Sequence, residues 1–341
     1  MSNNPPIEVP QGAIRLNTDS QRLEFFAQDR WYEMATEEAS GIGRRGFRVS
    51  GQDGGSTLIE TFNIATLGNS HDTGFDLSVQ RGALGCSASR TRAIIAGGNI
   101  SGSPNNNDIQ YFEMASLSNT IDFGDLTAGF AECGASSNNV RFIIAGAASN
   151  AHNTINFITV ASTGDATDFG DTLNKLSSVT ACGSPTRCVW AGGVLVPNQA
   201  PTNLMEFVTI ASTGNSVDFG DLTVTRYSPS GGSTNTRGLF FMGNTASSPY
   251  QVNTIDRITI ASTGNAVDFG DTVINRTQGA GVAASPSRIV FFGGYQTGGS
   301  PTHSTMEYVN PTSEGNTSKF GDLETGMNGD GNALSSSHGG L

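Results

Sequence analysis

The stretch Ile210-Ala-Ser-Thr-Gly-Asn-Ser-Val-Asp-Phe-Gly-Asp221 decides the reading of this chain, because it returns almost unchanged as Ile260-Ala-Ser-Thr-Gly-Asn-Ala-Val-Asp-Phe-Gly-Asp271. Further copies occupy residues 160–171 and 114–125, and weaker ones residues 64–76 and 310–322. The closing aspartates Asp76, Asp125, Asp171, Asp221, Asp271 and Asp322 fall 49, 46, 50, 50 and 51 residues apart. Self-similarity at such a period marks a repeat architecture, in which each unit buries its apolar faces against its neighbours.

A second string shares the period: an Arg, an apolar run, then a Gly pair or its remnant. Its copies are Arg92-Ala-Ile-Ile-Ala-Gly-Gly98, Arg141-Phe-Ile-Ile-Ala-Gly146, Arg187-Cys-Val-Trp-Ala-Gly-Gly193, Arg237-Gly-Leu-Phe-Phe-Met-Gly243 and Arg288-Ile-Val-Phe-Phe-Gly-Gly294, with a degraded first copy at Arg45-Gly-Phe-Arg-Val-Ser-Gly51. Each period therefore holds four strand-length stretches. A small-residue stretch such as residues 278–284 suits a crowded innermost strand. The Arg–Gly-Gly run reads as a second strand covered on both faces. An alternating third strand follows (residues 205–211). Ser-Thr-Gly-Asn reads as a tight hairpin turn into an outer strand carrying Asp-Phe-Gly-Asp.

Four strands per repeat predict an all-β fold, a six-bladed β-propeller over residues 41–341. The first blade lacks its inner strand within residues 45–78. The five continuous blades occupy residues 79–125, 126–171, 172–221, 222–271 and 272–322. A further small-residue stretch at residues 329–337 is placed to supply the missing strand, a velcro closure that removes open sheet edges.

Residues 1–40 read as a separate module. Residues 1–10, with Pro5, Pro6 and Pro10, form an extended arm. A hairpin is expected around residues 17–20. A second turn at residues 27–30 leads to a strand holding Trp31 and Tyr32. Three short strands are marginal alone, so the candidate anchor residues Leu16, Leu23, Phe25, Trp31 and Tyr32 are expected to dock on a partner, on another copy or on the propeller. Residues 36–44 read as a polar linker.

Composition agrees with a turn-rich all-β chain. Gly supplies 44 of 341 residues and charged residues only 14%. The net charge of −12 disfavours nucleic acid and anionic membrane surfaces. No apolar run approaches the roughly 18 residues of a membrane span, and the opening residues carry no signal-peptide pattern. Cys86, Cys133 and Cys182 recur at similar repeat points, which puts them on different blades and too far apart for disulfides. With Cys188, they are read as small, buried and reduced.

Two features resemble known families. The Gly-Gly after an apolar strand, followed by an acidic–aromatic pair (Glu206-Phe207, Glu307-Tyr308), resembles a kelch repeat, although the usual Trp of the third strand is absent. The Ile-Ala-Ser-Thr-Gly-Asn string resembles repeats of phage virion and tail-fibre proteins, especially those of cyanophages. Gly12-Ala-Ile-Arg-Leu-Asn-Thr-Asp-Ser-x-x-Leu-Glu-Phe with a following Trp31 is similar to a short β-module of tail fibres and appendages. The resemblance implies a virion location, made in the host cytoplasm. It implies partners among other virion proteins and copies of itself, with a homo-oligomer expected.

Chemistry is weighed against architecture. Asp-Phe-Gly occurs four times without the accompanying kinase motifs. The carboxylate pairs Asp122/Asp125, Asp168/Asp171, Asp218/Asp221 and Asp268/Asp271 offer two ligands per turn where Ca²⁺ takes six to eight oxygens. They are expected to cap turns and to pair with the recurrent arginines. His71, His152, His303 and His338 lie in polar, loop-like contexts, and neither sialidase boxes nor a Gly-x-Ser-x-Gly elbow is present. No catalytic residue, metal or cofactor is expected. What varies between repeats is the loop between second and third strands: residues 99–107, 147–153, 194–202, 244–252 and 295–303. Asn99, Asn105, Asn150, Pro197, Pro201, Tyr250, Tyr295 and His303 are the candidate contacts to a receptor, a host glycan or a neighbouring subunit. The function expected is a non-enzymatic virion structural protein; the alternative is a carbohydrate-binding propeller.

Overall fold

The computed structural model describes residues 9–17, 22–33, 44–51, 56–100, 106–147, 152–248, 250–276, 281–295, 303–327 and 332–341. The chain divides into two units, Met1–Gly41 and Ile42–Leu341. Both are built of small antiparallel sheets, and no helix occurs among the described residues.

The first unit is a meander of Ile14–Asn17, Arg22–Ala27 and Arg30–Glu33. Strand alternation sorts its side chains. Ile14, Phe25 and Tyr32 form one cross-strand row, and Leu16 lies on the same face. Ile14 and Leu16 are exposed, while Phe25 stacks on Tyr32. On the other face Phe26 packs edge-on to Trp31, and Arg15 lies over the Trp31 ring while paired with Glu24 at 2.8 Å. Residues 1–8 of the expected arm (1–10), the first hairpin tip (18–21) and the expected linker up to residue 43 lie outside the described residues.

The second unit holds six four-stranded sheets. Sheet four runs Thr180–Gly183, Arg187–Ala191, Leu204–Thr209, Val217–Asp221, in spatial as in sequence order. Sheets two, three, five and six repeat this pattern, with first strands Gly85–Ala88, Gly134–Ser137, Ser230–Ser233 and Gly281–Ala284. Sheet one comprises Arg45–Val49, Ser56–Asn63 and His71–Arg81, and its first strand is Asn332–Ser335. The register runs from Val49↔Asn332 to Gly46↔Ser335, so the stretch expected to complete this sheet does lie on it.

Each apolar second strand is buried on both faces; in sheet four Cys188, Val189, Trp190 and Ala191 are all inaccessible or nearly so. The core is accordingly split into layers between neighbouring sheets. Val189, Met205 and Phe219 of sheet four pack with Phe240 and Ile258 of sheet five. Val290, Phe292 and Phe320 of sheet six pack with Phe62 and Ile64 of sheet one. First strands touch in the order one to two, two to three and onward to six, and sheet six touches sheet one. Here small residues are obligatory: a Cβ on Gly134 would lie 2.7 Å from the Thr180 carbonyl carbon of the next sheet.

The repeated string does not make the tight hairpin turn that its Gly-Asn pair predicts. Residues 210–216 separate the third and fourth strands of sheet four, and they run along the fourth strand of sheet three. Gly214 N–H donates to Phe169 O (2.7 Å), Ser216 N–H to Asp171 O (2.8 Å), and Asp171 N–H to Asn215 Oδ1 (3.0 Å). The main chains approach so closely that a Cβ on Gly170 would lie 2.5 Å from the Gly214 carbonyl carbon. The same Asp N–H to side-chain bond joins Asp76 to Asn119, Asp125 to Asp165, Asp221 to Asn265 and Asp271 to Asn316. Asp322 completes the set on Asn69 at 3.0 Å, 253 residues away.

The recurrent arginines also serve this brace, which corrects their expected pairing with the Asp-Phe-Gly-Asp carboxylates. Nη1 of Arg92, Arg141, Arg187 and Arg237 donates to a carbonyl at the start of the next sheet's link: Val160, Ile210, Ile260 and Pro311, at 2.7–2.9 Å. Arg288 reaches Ile64 at 2.8 Å and Arg45 reaches Met114 at 3.4 Å. The capping role stands, since Asp122, Asp168 and Asp268 each accept from the glycine N–H two residues on, at 3.1 Å.

Two substitutions test the brace. Asn215→Ala removes one neutral acceptor and should cost about 1 kcal/mol of unfolding free energy. Gly170→Ala forces a methyl into facing main chain at a φ of +145° and should cost at least about 2 kcal/mol. Urea midpoints check both; equal small losses would contradict the close approach.

Candidate functional site

The first strands of all six sheets line one cavity of about 620 Å³. Leu334, Cys86, Ser136, Cys182, Gly232 and Val282 represent sheets one to six in its wall. Its mouth is made by the segments that enter those strands. Ala83, Glu132, Ser178 and Ser228 occupy the same place in four successive repeats and share a left-handed backbone, with φ of +52°, +53°, +52° and +50°. Their main chains are stitched together: Glu132 N–H donates to Ala83 O (2.9 Å), Val179 N–H to Glu132 O (3.3 Å) and Ser228 N–H to Ser178 O (2.8 Å). A hydroxyl from Ser177 (2.9 Å) and one from Ser178 (2.6 Å) converge on Oε2 of Glu132.

The other ends of the first strands are covered by residues 335–341. Ser335 and Ser337 hydroxyls donate to Ala284 O, and Gly339 lies against the carbonyls of Thr234 and Gly183. His338 reaches Ala88 O through Nε2 (2.6 Å), with the hydroxyls of Ser137 and Ser87 beyond it. Gly340 N–H donates to Nδ1 at 3.1 Å, so Nδ1 is bare and the ring proton sits on Nε2. Burial pushes the His338 pKa down to about 4, against the pull of the Ala88 carbonyl. His338 keeps the loop-like setting expected of it, on the turn after Asn332–Ser335, and its ring is packed there.

Buried acids elsewhere are tied to main chain. Glu206 accepts from Leu173 N–H (2.9 Å) and Ser216 Oγ (2.8 Å). Asp256 accepts from Thr223 N–H (3.1 Å) and Arg226 (2.7 Å), and Glu60 from Thr325 N–H (2.9 Å) and Arg48 (3.0 Å). Both of these ion pairs are fully inaccessible, and burial lowers the pKa of either guanidinium. In each case the acid on a third strand fixes the segment leaving the preceding sheet. Glu307, held by Arg276 and Thr317, does the same in sheet six, and burial raises its pKa.

The predicted contact residues divide. Asn99 and Pro201 line the cavity, Asn99 exchanging backbone bonds with Gly82 at 2.7 and 3.0 Å. Pro197 lies between Val194–Leu195 and Ala200–Pro201, two strands of a small extra sheet. Tyr250 and Tyr295 are exposed on loops. His303 opens a third strand half-buried, its pKa lowered by burial and by Arg276. Asn105 and Asn150 lie outside the described residues. The mouth positions 83, 132, 178 and 228 were not singled out from the sequence; their one mark is that each immediately precedes a small-residue strand. All four cysteines are buried and unbonded. Cys86 and Cys133 lie on adjacent first strands without a disulfide, as expected, and burial raises both thiol pKa values. Among the described residues no cluster of three or more His, Cys, Asp or Glu is arranged to hold a metal. No family model and no curated protein matches this chain.

The His338 contact predicts a pH dependence. The folded chain favours the neutral ring and the unfolded chain takes up a proton near pH 6.5, so the contribution is complete above about 6.5 and lost as pH falls towards 4. It amounts to at most about 3 kcal/mol. Urea melts at pH 7.5 and 4.5 should show a smaller loss for His338→Gln than for the parent chain; identical pH slopes would contradict this.

Proposed function

We propose that the chain is a non-enzymatic structural protein of a phage virion. In this reading its second unit is a six-bladed, kelch-like propeller and its first unit an attachment module. The observation that carries the propeller reading is the recurrence of one inter-sheet brace six times, with the sixth joining Asp322 to Asn69. Such a circuit suits a radial arrangement of blades, in which no sheet is left without a neighbour. The exposed apolar residues Ile14 and Leu16 support attachment through the first unit, since three short strands bury little by themselves. The virion assignment itself rests on the resemblance of the repeat string and of residues 12–25 to phage proteins.

A second reading, recognition of host-surface glycan, is favoured by the cavity and by the loops around its mouth. The buried acids support a non-catalytic role, because those described above are engaged by main-chain N–H groups or arginines.

The test has two parts. Class averages of the purified chain in the electron microscope should show a disc with six lobes. An antibody raised against residues 41–341 should label intact particles of the phage encoding this chain. An elongated stack overturns the propeller, and unlabelled particles whose lysate contains the chain overturn the virion role.

A further inference from the structure

The braces and the cavity mouth treat the repeats in opposite ways. Brace positions keep their chemistry: in all six an Asn or Asp side-chain oxygen accepts from the N–H of the closing aspartate, and the recurrent arginines each reach a main-chain carbonyl of the next sheet. The mouth positions keep only their conformation. Ala83, Glu132, Ser178 and Ser228 hold one left-handed geometry, which costs a non-glycine residue on the order of 1 kcal/mol or more, yet carry three different side chains. A backbone held constant by inter-sheet bonds while its side chains vary is a display surface.

What this surface displays selects the ligand class. Among the described residues Glu132 is the single charged side chain in the cavity lining, and no Lys or Arg among them lines it. An anionic group would enter without a counter-charge, against a chain of net charge −12. A metal cation would find one carboxylate where it takes six or more oxygens. The remaining lining suits a neutral, hydroxyl-rich molecule: serine hydroxyls at 87, 178 and 228, the Asn99 and Gln199 amides, and the half-buried ring of Tyr227 for an apolar C–H face. The volume of about 620 Å³ falls within the range of ligand pockets. Glu132 is also preorganised. Both serine hydroxyls converge on its Oε2, and Oε1 has no partner among the described residues.

We propose that this cavity binds the end of a neutral glycan, with Oε1 of Glu132 accepting from a sugar hydroxyl. This deepens the recognition reading and rests on it, while the virion role is judged on particles and fails separately.

The experiment uses the full chain and a panel of neutral methyl glycosides (glucose, galactose, mannose, N-acetylglucosamine), with a sialoside as the charged member. Saturation-transfer NMR and calorimetry are run at up to about 10 mM, enough to detect a Kd of roughly 1 mM. At least one neutral glycoside should bind saturably. Glu132→Gln should weaken it roughly tenfold or more, as loss of a charge-assisted hydrogen bond predicts, with an unchanged unfolding midpoint. Asp122→Asn, on an exposed fourth strand, should bind as the parent does. Neutral polysaccharide from the host surface should compete if the glycan is cell-bound; free sugar alone competing still supports the site. No saturable neutral glycoside, preference for the sialoside, or undiminished binding by Glu132→Gln would overturn the proposal.

Discussion

The second unit depends on two main chains lying in contact where the string of one repeat crosses the fourth strand of the preceding sheet. A fourth strand is otherwise an edge, with unpaired N–H and C=O groups that invite aggregation. Here those groups bond to the glycine, the asparagine and the following residue of the next repeat, as Phe169 and Asp171 do with Gly214, Asn215 and Ser216. The contact tolerates no Cβ at Gly170, which explains the glycine of Asp-Phe-Gly-Asp. Because each sheet is finished by its neighbour, no sheet is complete alone. The arginines and the buried third-strand acids add further ties in the same direction, from each sheet to the next.

Much of this was legible in the sequence because repetition is a non-local signal written in local strings. The spacing of Asp76 to Asp322, the strand order within each repeat and the return of Asn332–Ser335 to the Arg45 strand all followed from it. Errors arose where local propensity stood in for a partner. Gly214-Asn215 is a turn dipeptide by composition, but its hydrogen bonds go to a strand more than forty residues earlier. The arginines were matched to aspartates by charge, while geometry gives them carbonyl oxygens. His338 follows three serines and precedes two glycines, so it reads as loop; only the assembled sheets give it walls. The cavity mouth left almost no trace, since its positions share a conformation rather than a residue type.

These differences suggest a division of labour. Positions that repeat hold sheets together, and positions that change around the cavity meet whatever approaches it. The buried polar network belongs to the first class: Glu60, Glu206, Asp256 and Glu307 sit at matching points of four sheets, and each fixes the segment leaving the preceding sheet. Glu132 belongs to the second, exposed at the mouth and oriented by its neighbours.

The most direct measurement of the central claim is amide hydrogen exchange at Gly68, Ser70 and Asp322. Their N–H groups join sheet six to sheet one, donating to Phe320 O, Asp322 O and Asn69 Oδ1. The account predicts protection equal to that of Gly214, Ser216 and Asp171, which make the same bonds between consecutive sheets. Exchange at unprotected rates at the first three, with protection kept at the second three, would contradict it.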